Sequence, residues 1–329
     1  HQALLKQDID SKILNDSQAN LIKTSNNADK GISTIYNNFF SRFMNKLFVL
    51  IEKFFKFIIL HSPRDTFTFG LLGTDLTKLK EYDEADIIHI HWLNQGFINL
   101  KSLSKIDKPT VWTMRDMWPF TGGPHYTLDF KKYEIGYLSK KMKSFKSKIY
   151  RDNFNFVAVS EWLKNEAQKS EVLKKNKIIK IYNNINLKDF KIIPKKTARS
   201  NLNISTKKQI ILFGAQNPQS LRKGWEIFVN SLKKIDISSY YLLIFGNFWS
   251  HKTIDDIGIE YKSIGFVNDN KKLNYIYSSA DFFVASSLQD AFAKTFVESL
   301  ACGTPVICFS DTFGKEVIHH KRNGFIVDD

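Results

Sequence analysis

From Asp86 onward, short runs of consecutive apolar residues alternate with stretches whose apolar positions recur every three or four residues. Unbroken apolar runs of this length read as strands buried on both faces of a parallel sheet, and the spaced stretches read as helices packed on it. The pattern predicts strands at 87–92, 109–114, 154–160 and 178–186. It predicts further strands at 209–214, 241–246, 281–285 and 306–309, and one ending near 264–267. Ser160 is suited to cap a helix that follows it. Other helices are expected near Trp225, over 271–279, and from Phe292 through Leu300, where Gly303-Thr-Pro305 ends the periodicity. This alternation is that of an α/β protein made of two doubly wound units. Residues 1–188 form the first unit, 209–329 the second, and the polar stretch 189–208, with Pro194, reads as the hinge.

Before Asp86 the pattern changes. Residues 1–6 read as the end of a helix, followed by a turn at Asp8-Ile-Asp10, a short strand at 12–14 and a polar loop at 25–31. Residues 34–60 then place Phe39, Phe40, Phe43, Leu47, Leu50, Phe54, Phe55 and Ile58 among Arg42, Lys46, Lys53 and Lys56. These charges exclude an ordinary membrane span, whereas a cationic amphipathic helix on an anionic membrane surface fits. A helix packed on its own domain with lysines in solvent is the plainer alternative. A second lysine-rich helix, with Lys140, Lys143, Lys146 and Lys148, is expected to be exposed within 127–152. The chain opens inside a helix and stops just after an apolar run, so it reads as truncated at both termini.

Length and charge narrow the class. A chain of 329 residues with 43% hydrophobic residues suffices for two globular domains. The net charge of +15 suits an acidic ligand or surface. No zinc-ligand spacing or RNA-binding motif accompanies it, so no nucleic-acid partner is expected. Cys302 and Cys308 sit in apolar surroundings, as in a reduced cytoplasmic protein, and no signal peptide is evident.

The most informative stretch is Ser286 to Val306, a loop and helix following the strand at 281–285. A helix that starts at the carboxyl end of a parallel strand offers free amides to an anion such as phosphate. Asp290, seven intervening residues, Glu298 and then Ser-Leu-Ala-Cys-Gly-Thr-Pro-Val resemble the donor-site signature of retaining family-4 glycosyltransferases, in which two Rossmann-like domains face a cleft (the GT-B architecture). The resemblance implies that Glu298 holds the nucleotide ribose. It places Asp290, Ala291, Phe292, Ala293, Lys294 and Thr295 at the donor sugar and diphosphate, and Phe266 and Val267 at the base. Asp290 stands where the family usually has Glu. The family's Gly-Arg becomes Gly214-Ala215, whereas Lys223-Gly224 matches. Lys223, with Arg222 beside it, is expected to stabilise the departing diphosphate.

The first half is similar to the acceptor domain of the bacterial members that build surface polysaccharides. His91 and Trp92 end one strand, and Arg115-Asp-Met-Trp-Pro-Phe-Thr-Gly-Gly-Pro-His125 follows the next. Many members carry His where Arg115 stands. Arginine can hold phosphate but does not act as a general base, so His125 and His91 become candidates for that role. Asp116 and Trp118 are expected to contact the acceptor, and His89 to point away from His91 into the core. Asn184 stands in for the glycine of the family's Ile-Pro-Asn-Gly segment.

Together these resemblances imply a metal-independent retaining hexosyltransferase. It would use a UDP- or GDP-sugar as cosubstrate, need no cofactor, and act on a glycan or lipid-linked saccharide in capsule, exopolysaccharide or O-antigen synthesis. It is expected in the cytoplasm, peripherally at the inner face of the membrane. Asp290, Lys223, Arg115 and His125 are its candidate catalytic residues. A sugar-nucleotide epimerase, a phosphorylase, or an inactive glycan- or membrane-binding partner remain as alternatives.

Overall fold

The computed structural model describes residues 7, 9–15, 32–36, 39–60, 66–94 and 96–328. The helix end at 1–6, the turn beginning at Asp8 and the loop at 25–31 lie outside the described residues. Two short strands, β1 (Ile13–Asn15) and β2 (Ile32–Thr34), pair in parallel as a small sheet of their own. The 22-residue helix α1 (Phe39–Leu60) contains no Gly or Pro to interrupt it.

The first domain is built on the parallel sheet β3 (Ile88–Ile90), β4 (Thr110–Met114), β5 (Phe154–Ala158) and β6 (Ile178–Lys180), in that spatial order. Helices α2 (Tyr137–Ile149) and α3 (Glu161–Lys169) flank it. Register places Trp112 beside Phe156, and their rings stack at 5.9 Å within a core that also holds Met114, Tyr150 and Leu163. As expected, Ser160 caps α3, its hydroxyl accepting the Leu163 N–H at 3.0 Å.

Helix α2 corrects one expectation. Its lysines do not all face water: Lys146 is fully buried, donates to the carbonyls of Trp118 and Thr121, and lies 3.8 Å from the centre of the Trp118 ring. Lysine density marked a helix here, but the buried face accommodates one ammonium because two carbonyls and an aromatic ring receive it. Burial pulls this amine down to about 7.

The second domain has six parallel strands in the order β12-β11-β10-β7-β8-β9. These are β7 (Gln209–Gly214), β8 (Tyr240–Phe245), β9 (Tyr261–Ser263), β10 (Phe282–Ala285), β11 (Val306–Phe309) and β12 (Gly324–Val327). Helices α4 (Lys195–Asn201), α5 (Trp225–Leu232), α6 (Asn270–Ser279) and α7 (Lys294–Ala301) accompany them. Residues 189–208 carry α4, and Phe190, Leu202 and Ile204 enter the second domain's core. Cys302 and Cys308 are buried there as free thiols.

This strand order fixes where a ligand can sit. The chain moves outward from β7 through β8 to β9, then returns to the other side of β7 and runs outward through β10, β11 and β12. The reversal lies between the neighbouring strands β7 and β10, and a doubly wound sheet opens a crevice beyond the carboxyl ends of such a pair.

Candidate functional site

The loops leaving β7 and β10 meet at this reversal. The loop after β7 ends in a tight turn, Leu221–Lys223, and Gly224 then starts α5 with φ +65°. A Cβ at Gly224 would lie 1.9 Å from the Ser286 carbonyl oxygen, so only glycine allows the two loops to touch. Ser286 seals the contact, its hydroxyl donating to the Lys223 and Gly224 carbonyls at 3.1 and 2.9 Å.

This clamp brings together Lys223 and Asp290, which are far apart in sequence. The Lys223 ammonium donates to the buried Asp290 carboxylate, and Arg222 lies 3.8 Å from the same oxygen. Burial alone would push Asp290 up, but Lys223 and Arg222 outweigh it and hold the carboxyl below its usual range. Burial lowers Lys223, opposed by the charge of Asp290. The depressed carboxyl favours an ionised pair, with Arg222 as a second cation beside it.

Glu298 lies farther along, on α7, and accepts the Tyr277 hydroxyl at 2.8 Å. Burial raises its pKa. It borders an open cleft of about 260 Å³ shared with Lys294, Val297, Asn184, Asn186 and Asn270. Thr295 and Gly214 sit instead beside Lys223 and Ser287. Of the loop between, Ala291 and Ala293 are buried, and Phe292 packs on Phe313 with ring centres 4.3 Å apart. Phe266 is exposed and Val267 packs on the domain core.

The first domain closes on these loops through residues that the sequence patterns did not single out. Tyr126 accepts the Ala291 N–H at 3.3 Å, and the Arg222 guanidinium lies 4.1 Å from its ring centre. Asp129 pairs with Arg222 at 3.6 Å. Gln289 donates to the Thr127 hydroxyl and accepts the Leu128 N–H, at 3.0 and 2.9 Å. Tyr126 follows directly on the aromatic-glycine loop, and the rule that ligands sit beyond strand ends could have drawn attention to it.

After β4, Arg115 donates to Asn183 and, at 3.3 Å, to Nδ1 of His91. Burial, then His89 and Arg115, pull His91 down to about 4, so it is neutral at pH 7 with its proton on Nε2. The expectation that His89 faces the core is incorrect. Residues two apart share a strand face, and its ring lies 4.2 Å from that of His91 on the edge strand β3, with Nε2 bonded to Thr113.

Three other expected residues turn inward. Trp118 is buried rather than lining an acceptor surface, and its indole N–H donates to the Thr68 carbonyl at 2.8 Å. His125 is also buried, with Nδ1 2.7 Å from Asp116 and Nε2 near Thr68 and Asn94. The other Asp116 oxygen accepts the Trp118 N–H at 2.9 Å. Asp116 and His125 therefore brace the loop that carries Tyr126. Trp92 remains partly open, its ring centre 6.4 Å from that of His125.

Comparison with known proteins agrees with this two-domain plan. Residues 38–189 match the model of Glycosyltransferase Family 4, and residues 194–329 that of Glycosyl transferases group 1. An uncharacterized glycosyltransferase of Methanocaldococcus jannaschii is 28% identical over 272 residues, covering 78% of this chain and 64% of that relative. The chain thus spans less than two thirds of that relative's length. Sucrose-phosphate synthase from Thermosynechococcus elongatus superposes with a TM-score of 0.58 at 19% identity, over 74% of this chain and 61% of that one. Anabaena HepE, solved with UDP and glucose, gives 0.55 at 17% identity, over 76% of this chain and 66% of that one.

Proposed function

We propose, on the GT-B glycosyltransferase fold that this chain has, that the protein transfers a sugar from a nucleotide-sugar donor to a hydroxyl of a glycan or lipid-linked saccharide. The observation that carries this reading is the convergence of Lys223, Arg222 and Asp290 at the strand-order reversal, beside the cleft bordered by Glu298. Paired cations there suit a diphosphate, and Glu298 suits a ribose hydroxyl. HepE, a structural neighbour solved with UDP and glucose, supports a UDP-type donor.

In this reading the bond from the anomeric carbon to the diphosphate oxygen breaks, with its electron pair going to the diphosphate. Lys223 and Arg222 stabilise that charge, the role a metal plays elsewhere. The acceptor oxygen bonds to the same carbon from the same face, and its proton passes to the departing diphosphate. Retention follows without a protein nucleophile. The engagement of Asp290 by two cations, and of both Asp116 oxygens by Trp118 and His125, supports that assignment. Arg115, exposed after β4, is the proposed anion-holding group of the first domain, and surface polysaccharide is the proposed product class.

Thermal stabilisation by UDP-, GDP-, ADP- and CMP-sugars, without added metal, tests the reading. A shift with one nucleotide class, lost in Glu298→Ala and Lys223→Ala variants that fold as the parent does, is expected. Absence of a shift for every nucleotide would overturn it. Release of free sugar or sugar phosphate without an acceptor would indicate hydrolysis or phosphorolysis instead.

A further inference from the structure

Helix α1 is mounted with an amide and a carboxyl turned inward. Asn45 and Glu52, the latter its sole acidic residue, are buried against the first domain. Glu52 accepts the Gly70 N–H at 2.9 Å, and Gly96 lies against Asn45, Phe48 and Val49. At 3.6 residues per turn, Phe39, Phe43, Leu50, Phe54 and Phe57 fall on the opposite side, within an arc of about 60°. They are 86%, 53%, 64%, 60% and 61% exposed. Phe40, Leu47 and Ile58 widen this stripe along one edge. Arg42, Lys46 and Lys53, all exposed, run along the other edge.

A soluble helix shows the reverse arrangement, with its apolar side on the core. Here the core side carries an amide, a carboxyl and a few apolar contacts, while the aromatic side runs the length of the helix. The exposed side carries no acid, and every charge beside the stripe is positive. A partner must therefore offer a broad apolar layer and negative charge in register along about 33 Å. A second copy of the same face has the apolar layer but supplies only further cations. A bilayer with anionic headgroups supplies both, the side chains entering the headgroup–acyl boundary and the cations meeting lipid phosphates. Among the described residues no helix is long and apolar enough to cross a membrane, so α1 would lie in the interface plane.

We propose that the outward face of α1 docks the protein on an anionic lipid surface. This stands apart from the transfer chemistry, because none of its residues belongs to the donor crevice. Co-flotation of the full chain with vesicles of phosphatidylcholine alone, and of phosphatidylcholine with phosphatidylglycerol, tests it. Binding is expected to the mixed vesicles and to fall at least tenfold in Leu50→Ser/Phe54→Ser. Lys46→Glu/Lys53→Glu should abolish the preference for the anionic mixture. Both variants should keep the thermal shift given by nucleotide sugars. No flotation of the parent with either vesicle, or equal flotation of parent and Leu50→Ser/Phe54→Ser, would overturn the proposal. So would a dimer in solution that those serines dissociate while flotation stays unchanged, which would make the face a contact between copies.

Discussion

Glu316, in the second domain, accepts the backbone N–H of Trp162, the second residue of helix α3 in the first domain, at 2.8 Å. The other oxygen of the same carboxylate accepts the Glu161 N–H at 2.8 Å and the Tyr182 hydroxyl at 2.9 Å. One domain thus supplies the anion for free amides at a helix start in the other. The contact ties together two units that otherwise meet around Tyr126, Arg222 and Gln289. Glu316→Ala is expected to remove it at a cost of about 1–2 kcal/mol, the range of a lost helix cap. Small-angle scattering should show a larger radius of gyration for the variant. Combining it with Tyr182→Phe should give less than the sum of the two separate effects on stability, because both changes act on one carboxylate.

Gly224→Ala tests whether the meeting of the two loops builds the donor site. Both Gly224 and Gly258 have left-handed backbones, with φ of +65° and +77°. At Gly258 an added Cβ meets nothing within 4 Å, whereas at Gly224 it collides with the Ser286 backbone. Gly258→Ala should cost about 1 kcal/mol from backbone conformation alone. Gly224→Ala should cost more and displace Lys223 from Asp290. Thermal shifts with nucleotide sugars should survive the first substitution and disappear in the second.

Much of this was legible in the chain. Apart from β12, which was not predicted, and the largely polar β9, the strands of both large sheets follow from apolar runs, and the placement of Asp290 and Glu298 in the loop and helix after β10 follows from local spacing. Lys223 was legible because Lys223-Gly224 resembles the family's Lys-Gly, whereas the contact that demands the glycine, with Ser286, is tertiary. The domain-closing contacts were not: Tyr126–Ala291, Thr127–Gln289 and Trp162–Glu316 each join residues more than 150 apart in sequence, and no periodicity encodes them. Buried charge was also hidden. Helical spacing puts Lys146 on the face of Met142 and Ile149, but only tertiary packing supplies the Trp118 ring and the carbonyls that receive its ammonium. His89 was different: strand alternation correctly applied puts it with His91.

Lys146→Met keeps most of the side-chain volume and removes the donor to the Trp118 and Thr121 carbonyls. Leaving buried acceptors without a donor costs about 1–3 kcal/mol. These carbonyls bracket the loop leading to His125, so the variant should lose stability and protection of amides 118–125 in hydrogen exchange. Amides of β7, β8 and β10 should exchange as in the parent. Uniform loss of protection across both domains would show that Lys146 serves general stability rather than this loop.

Glu52 makes stability depend on pH in a direction opposite to that of an ordinary carboxylate. Burial raises it to about 7, partly offset by the Gly70 N–H that it accepts. Its folded pKa lies above the ordinary value near 4.5, so the folded protein binds more protons than the unfolded chain between those pH values. The contribution is fully present below about pH 4.5 and is lost as pH rises through 7. A shift of this size corresponds to an upper bound of about 3 kcal/mol. Glu52→Gln keeps an oxygen acceptor for the Gly70 N–H but cannot ionise. It should melt at a higher temperature than the parent at pH 8, with the difference shrinking as pH falls and vanishing near pH 4.5. A constant difference between the two proteins from pH 5 to pH 8 would mean that Glu52 does not titrate in this range.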